Sequence, residues 1–178
     1  MDNIAILPHD ILAEQAVLGS IFIDPDKIVL VSEHLKPEDF YKPGHQIIFR
    51  TMQTLSDNRQ AIDAVTMKTA LEDQGDLSGI GGLTYIAEIV NSVPTSANAE
   101  FYAKTVAEKA LMRKVIANLS DTVAGAYSGE MSANDLIVRA EQALVNASNS
   151  NNNTGFKTIY DVILDNHSKI EQRSNVSS

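Results

Sequence analysis

The chain has 178 residues, of which 44% are hydrophobic and 21% are charged, and it contains no cysteine. This length fits one domain with an appendage, and the composition is ordinary for a globular protein. The lack of cysteine excludes disulfides, zinc–thiolate sites and thiol redox chemistry. No apolar run approaches the roughly 18 residues of a membrane span, and the N-terminus lacks a secretory signal pattern. We therefore expect a cytoplasmic protein without a membrane partner.

The formal net charge of −9 is concentrated at the start of the chain. Residues 1–103 hold 6 basic and 15 acidic side chains, whereas residues 104–149 and 150–178 are each neutral. An acidic surface repels phosphate, so this part of the chain is a poor candidate for binding nucleic acid by itself. A protein partner with a basic face is the more natural reading. The charge alone leaves open that the acidic residues only keep the domain soluble.

Almost every element in the first part of the chain reads as a helix. Caps, prolines and glycines mark the ends of five helices within a globule that spans residues 1–96. These helices run from Ile11, capped by Asp10, to about Ile21; from Asp24-Pro25 to a point before Pro37; from Pro43-Gly44 onward; from the cap Asp63 to Gly75; and from Gly81-Gly82 onward.

A longer helical pattern follows this globule. No helix breaker occurs between Ser96 and Gly125, so we expect one helix of about 30 residues, on the order of 45 Å long. A turn over 125–129 follows, and Ser132 with Asp135 resembles a capping box that starts a helix ending near Ala147. Two helices joined by a short turn predict an antiparallel hairpin over residues 97–147. The predicted fold class is all-α.

The second helix of this hairpin is only about half as long as the first, so the first helix needs further cover. A second copy of the hairpin would supply that cover, which predicts a homo-oligomer with a two-fold contact. The alternative is that the hairpin packs on its own globule. The apolar candidates for the dimer contact or hairpin core are Met112, Leu119, Val123, Tyr127, Ile137 and Leu144.

The C-terminal part of the chain begins with a polar stretch. Residues 148–155, SNSNNNTG, are typical of a flexible linker. Residues 156–172 then predict a short amphipathic helix whose buried face includes Ile159, Ile163 and Ile170. Such a helix is marginal alone, so it either docks on something absent from this chain or is disordered. Residues 173–178 are expected to be a disordered tail.

The sequence shows no pattern of catalytic or metal-binding residues. His9, His34, His45 and His167 lack the spacing of metal ligands, and we expect them to be surface or capping residues. The glycine-rich run GDLSGIGGLTY lacks the lysine of a Walker A loop, and no G-x-S-x-G occurs. The residues alone predict a helical assembly or docking module that is not an enzyme and binds no cofactor.

Several sequence blocks resemble one known family. LPHDILAEQAVLGSIFIDP is similar to the opening motif of the N-terminal domain of the bacterial replicative helicase, the DnaB family, which also has phage members. Four later blocks follow in the same order: EDFYKPGHQIIF, IDAVTMKTAL, GIGGLTYIAEI and VPTSANAEFYAKTVAEKALMRKVI. The linker block GFKTIYDVILDNHSKIEQ extends the resemblance over about residues 6–172.

The resemblance implies a role in DNA replication. In this family the globule and hairpin form dimers, and three dimers make a collar on a hexameric motor. The collar docks the C-terminal helicase-binding domain of primase in the primosome, and a helicase loader is a further partner. DNA threads through the ring, and the linker helix packs on the ATPase domain of a neighbouring subunit. The RecA-like ATPase is absent from this chain, so ATP, magnesium and 5′–3′ unwinding belong to the parent enzyme.

The resemblance also implies two primase-contact residues. Tyr85 in GGLTY and Ile116 in the long helix match positions on the family's primase-contacting surface. Leu12 and Thr122 lie near that surface but differ from the residues common in Gram-positive relatives. The alternatives are that Tyr85 is a half-buried globule residue and Ile116 a hairpin core residue.

Two other functions remain open on the sequence. One is a stand-alone protein of the same fold that regulates or poisons the helicase ring. The other is a collar that binds single-stranded DNA weakly. The acidic globule and the 6% aromatic content argue against this second function, because stacking platforms need exposed rings beside basic grooves.

Overall fold

The computed structural model describes residues 6–129 and 131–149, and these residues form α-helices joined by short connections. A 3-10 turn over Pro37–Asp39 precedes the third helix. The helices are α1 (Ile11–Ile23), α2 (Lys27–His34), α3 (Pro43–Asp57), α4 (Ala64–Gln74), α5 (Gly82–Val90), α6 (Ala99–Ser128) and α7 (Ala133–Asn149). The all-α prediction is confirmed. No helix in the described ranges combines the length and apolarity needed to cross a membrane.

Part of the predicted C-terminal region lies outside the described residues. This applies to the linker helix with its face Ile159, Ile163 and Ile170, to the tail 173–178, and to all but the first residues of the linker 148–155. Those first residues belong to α7, which extends to Asn149.

Local capping signals fix most of the helix ends. Asp10 accepts a hydrogen bond from the backbone N–H of Ala13 at 2.9 Å and so begins α1 where it was predicted. Gly75 ends α4 in the left-handed conformation with φ 77°, which a residue without Cβ adopts at little cost.

The predicted turn at Gly125 is wrong, because this glycine lies inside α6 and the chain turns at Gly129, with φ 69°. A single glycine costs a helix interior only about 1 kcal/mol, which neighbouring packing can offset. A Cβ at Gly125 would lie 3.3 Å from Met131 Sδ, so the missing side chain lets the start of the next helix approach.

The chain divides into two compact units between Ile116 and Ala117, inside α6. The first unit has a continuous apolar core built from α1 to α5 and the first half of α6. α1 is central, since eight of its 13 residues are buried and they lie on all sides of the helix. The largest fully buried apolar side chains of this core include Leu18, Ile21, Phe40, Ile48, Phe49, Met52, Met67, Leu71, Ile86 and Ile89.

The helices α1 and α5 are in direct backbone contact at Gly19. A Cβ at this position would overlap Ser92 Oγ and would lie 2.6 Å from the Ile89 carbonyl oxygen. The Ser92 hydroxyl is within hydrogen-bond distance of two carbonyl oxygens, that of Gln15 on α1 at 3.0 Å and that of Ile89 on α5 at 2.7 Å. The crossing of α1 and α5 is therefore fixed by hydrogen bonding as well as by the close fit of the two helices.

In the second unit, the end of α6 pairs with α7. Asn118 Nδ2 lies 3.4 Å from the Ala143 carbonyl oxygen, and a Cβ at Gly125 would lie 3.8 Å from Leu136 Cδ2. A later position on α6 thus meets an earlier position on α7, which confirms an antiparallel pair. One half of the predicted capping box is present, since the Asp135 N–H donates to Ser132 Oγ at 3.2 Å, while the Ser132 hydroxyl lies 2.7 Å from Asp135 Oδ2.

The cap of α4 links its stability to pH. A hydrogen bond from the backbone N–H of Thr66 lowers the pKa of Asp63 below its ordinary value of 3.8. A carboxylate whose folded pKa is lowered stabilises the fold above the unfolded pKa, and this contribution is lost as the pH falls through the folded pKa. We expect Asp63→Ala to lower the free energy of unfolding by about 1 kcal/mol at neutral pH, as measured by urea denaturation.

The matched control is Asp63→Asn, which keeps a capping oxygen but cannot titrate there. We expect the difference in free energy of unfolding between wild type and Asp63→Asn to become smaller as the pH falls below 3.8, the ordinary pKa of the carboxyl. A gap that stays constant down to the lowest pH at which the chain folds would contradict this role of the cap.

Candidate functional site

The side chain of Tyr85 on α5 is half-buried and held in one orientation. Gln15 Nε2 donates to its hydroxyl oxygen at 3.2 Å, and His45 Nε2 lies 2.6 Å from the same oxygen. The tyrosine and imidazole rings meet edge to edge and are nearly parallel, with centroids 5.8 Å apart and 7° between the planes. The ammonium of Lys42 lies 3.8 Å from the ring centroid, an attractive cation–π distance. The ring is thus positioned before any partner arrives.

The imidazole that contacts the Tyr85 hydroxyl belongs to a buried pair. His45 is fully buried, Glu14 is 1% exposed, and His45 Nδ1 lies 2.6 Å from Glu14 Oε2. Because an ionised carboxylate can only accept hydrogen bonds, Nδ1 is the donor. In a neutral imidazole Nε2 then accepts from the Tyr85 hydroxyl, whose oxygen accepts from Gln15. Every polar atom along this chain of contacts has a partner of the right kind.

Glu14 also binds the segment that leads into α3. Its Oε1 accepts from the Tyr41 backbone N–H at 2.6 Å, and its Oε2 lies 3.3 Å from the backbone nitrogen of Lys42. One carboxylate on α1 therefore contacts both the loop before α3 and the first turn of α3, and through His45 it reaches α5. A buried carboxylate without these donors would be strongly destabilising, so the three helices are held together in one arrangement.

The expectation that His45 is a surface or capping residue is wrong. It sits in the first turn of α3, where a polar residue is usually solvated or capping, but here it faces the core. Its partner Glu14 lies 31 residues earlier, beyond the reach of any local pattern. One sequence signal was available: Glu14 is the one charged residue in the largely apolar helix ILAEQAVLGSIFI.

The basic pair on α6 binds the same loop region. Arg113 Nη1 donates to the Pro8 carbonyl oxygen at 2.8 Å, and its Nη2 donates to the Asp39 carbonyl oxygen. Lys114 Nζ lies 2.7 Å from Asp39 Oδ1, and the Arg113 guanidinium carbon lies 5.6 Å from the Tyr41 ring centroid. These two cations therefore act inside the first unit.

Residues 39–42 connect both of the predicted primase-contact residues to the core. Tyr85 reaches this segment through His45 and Glu14, while α6 is bound to it just before Ile116. Ile116 is 40% exposed. The two side chains are therefore accessible, and each rests on a fixed support.

The predicted hairpin residues are uncovered in a single chain. Met112 in the first unit is exposed, and exposure in the second unit ranges from 36% at Leu119 to 90% at Tyr127. Exposed large apolar side chains of this kind are available for contact with a partner. The remaining predicted hairpin residues, which are also exposed in the second unit, are Val123, Ile137 and Leu144.

Residues 6–108, more than half of the chain, match the family described as DnaB-like helicase N terminal domain. The chain belongs to this family. Over 173 residues it is 39% identical to the replicative DNA helicase DnaC of Bacillus subtilis (strain 168). The alignment covers 97% of this chain but only 38% of that helicase, so the chain spans well under half the length of this relative.

Solved structures of DnaB proteins have the same fold. The crystal structure of the N-terminal domain of DnaB helicase from Mycobacterium tuberculosis matches with a TM-score of 0.74 and 36% identity, covering 79% of this chain and 99% of that one. A structure of a DnaB-like replicative helicase and its interactions with primase matches with a TM-score of 0.64 and 26% identity, covering 91% of this chain and 35% of that one. The resemblance to the DnaB family is confirmed.

The DnaB family match includes the whole network of Glu14, His45 and Tyr85 and the start of α6, whereas Ile116 and most of the hairpin lie beyond residue 108. Among the described residues, no three His, Cys, Asp or Glu side chains are grouped so that they could hold a metal ion. The site therefore offers shape, an aromatic ring and charge for binding a partner.

Proposed function

We propose that this chain is the assembly and primase-docking domain of a replicative hexameric DNA helicase. Its family membership supports this role, as does the interaction with primase described for a structural relative. The structural observation that carries the proposal is the Tyr85 ring, which a buried network holds in place at the surface. An anchor that is already ordered loses little conformational freedom on binding, so more of its contact energy remains as affinity.

The proposed primase contact centres on Tyr85 and Ile116. Aromatic side chains in partly desolvated positions are frequent hot spots of protein interfaces. The acidic excess of residues 1–103 would steer a basic face of the partner towards this part of the chain. The C-terminal helicase-binding domain of primase is the partner proposed here.

The proposed assembly contact is the exposed apolar face of the hairpin. Fully burying one Val, Leu or Ile side chain is worth about 1.5–3 kcal/mol, so covering several of them can support a stable dimer. A two-fold contact uses the same face on both copies, and it leaves no apolar stripe uncovered. Three such dimers would form the collar of the parent hexamer.

The other roles belong to the parent protein. ATP and magnesium binding, 5′–3′ unwinding and the passage of DNA through the ring are proposed for a motor domain that this chain does not contain. A cytoplasmic location and a helicase loader as partner are proposed with them. Within the chain, we propose that residues 1–96 form the docking globule, 97–147 the dimer hairpin and 148–155 the linker. The face Ile159, Ile163 and Ile170 of residues 156–172 would pack on a neighbouring ATPase domain.

The assembly role predicts the mass of the isolated chain. On a sizing column with light scattering, we expect a dimer or larger multimer for wild type and a monomer for Val123→Asp, because a carboxylate would be buried in the contact. The control Val65→Asp changes a valine on α4 that is more exposed than Val123, and it should leave the mass unchanged. The assembly role would be contradicted by a wild type that is monomeric at high protein concentration. It would also be contradicted if both variants lost the multimer to the same extent.

The docking role predicts affinity for the C-terminal domain of the cognate primase. In calorimetric titration we expect Tyr85→Ala to weaken binding at least about thirtyfold, the usual loss at a hot spot. Tyr85→Phe keeps the ring but loses the hydrogen bonds to His45 and Gln15, so it should lose less primase affinity than Tyr85→Ala. Val65→Ala is the control. A folded wild-type multimer that shows no primase binding would refute the docking role and leave the assembly role standing.

A further inference from the structure

A second surface of the first unit lies between α1, the end of α5 and the start of α6. It is a groove of about 660 Å³. Its floor includes the buried apolar side chains of Ala13, Ala16 and Val93. Leu12 and Phe101 form its walls and are 77% and 69% exposed, which is far more than apolar side chains of their size usually are in a folded domain.

The floor of this groove is already in its binding shape. α1 and α5 touch at Gly19, and the Ser92 hydroxyl contacts carbonyl oxygens of both helices. Neither helix can shift without breaking these contacts. A partner would therefore meet a rigid apolar surface instead of having to open one.

The charges around the groove are of one sign. Asp10 and Glu88 line it, and none of the described residues that line it is basic. The whole net charge of the chain also lies in residues 1–103, which include nearly all of this groove. The field at the groove therefore favours cationic side chains that flank an apolar contact.

We propose that this groove binds one amphipathic α-helix of a partner protein, with Lys or Arg on both sides of its apolar stripe. A groove formed between helices accepts another helix through anchors at i, i+3 or i+4, and i+7. Leu12 and Phe101 would contact this stripe, while Asp10 and Glu88 would face the basic flanks. The groove adjoins the proposed primase contact, because Gln15 lines it and also bonds the Tyr85 hydroxyl, but the occupant proposed here is a separate partner.

The charge argues against two other occupants. In a two-fold contact a second copy would bring the same acidic groove against this one, and Asp10 and Glu88 of the two copies would repel each other. The amphipathic segment 156–172 of the chain itself carries more acidic than basic residues, so its flanks do not suit an acidic groove.

The test uses the full 178-residue chain and a labelled synthetic helical peptide. The peptide is about 18 residues long, with leucines at the anchor spacing and lysines on both flanks. A second peptide carries Glu in place of every Lys. In fluorescence anisotropy we expect saturable binding of the basic peptide and at least about tenfold weaker binding of the acidic one.

Three variants of groove residues and two control variants locate the binding. We expect Phe101→Gln and Leu12→Gln each to weaken binding of the basic peptide about tenfold, since each removes an exposed anchor. Val65→Gln on α4 is the matched apolar control and should bind like wild type. Glu88→Gln should weaken binding two- to threefold at low salt, about the effect of one exposed charge pair, while the control Asp73→Asn should not. Circular dichroism melts verify that all variants fold.

Several results would overturn the proposal. One is equal affinity for the basic and acidic peptides. Another is binding that Phe101→Gln and Val65→Gln weaken to the same extent. Loss of self-association in Phe101→Gln would place a second copy in the groove, and tighter binding of a 156–172 peptide would place the chain's own segment there. Primase binding is measured separately on the same variants, and a loss of primase affinity as large as the loss of peptide affinity would place primase itself in the groove.

Discussion

A carboxylate and an imidazole, both almost wholly buried, meet 2.6 Å apart in the core of the first unit. Taking Glu14 and His45 out of water is costly, so their burial is tolerable only because further donors and acceptors complete the network. Those groups come from the backbone of Tyr41 and Lys42 and from the Tyr85 hydroxyl. The network therefore specifies how α1, α3 and α5 are arranged, which apolar contacts alone would define less sharply.

This arrangement positions two surfaces on the first unit. Tyr85 contacts the imidazole at one end of the network through its hydroxyl. Gln15, which bonds the Tyr85 hydroxyl, also lines the groove beside Leu12 and Phe101. Both surfaces thus depend on the same placement of α1 against α5. The second unit differs, because its predicted hairpin residues stay exposed within a single chain and the proposed dimer would cover them.

The helices could be predicted closely because their ends depend on local chemistry. The caps Asp10 and Asp63 and the left-handed Gly75 act within a few residues of themselves, so the sequence pattern contains the cause. The site could not be predicted in this way. His45 finds its partner 31 residues away, and Arg113 donates to a carbonyl oxygen 105 residues earlier. Gly125 failed as a turn signal because packing against α7 decides its conformation.

A double-mutant cycle on the buried pair tests the central claim most directly. The free energy of unfolding would be measured by urea denaturation for wild type, Glu14→Gln, His45→Gln and the double variant. Each single substitution leaves the other buried member of the pair without its hydrogen-bond partner, so we expect a loss of about 3 kcal/mol from each. The double variant should lose clearly less than the sum, with a coupling of about 1–3 kcal/mol. Losses that add to within about 0.5 kcal/mol would show that the pair does not hold the fold together.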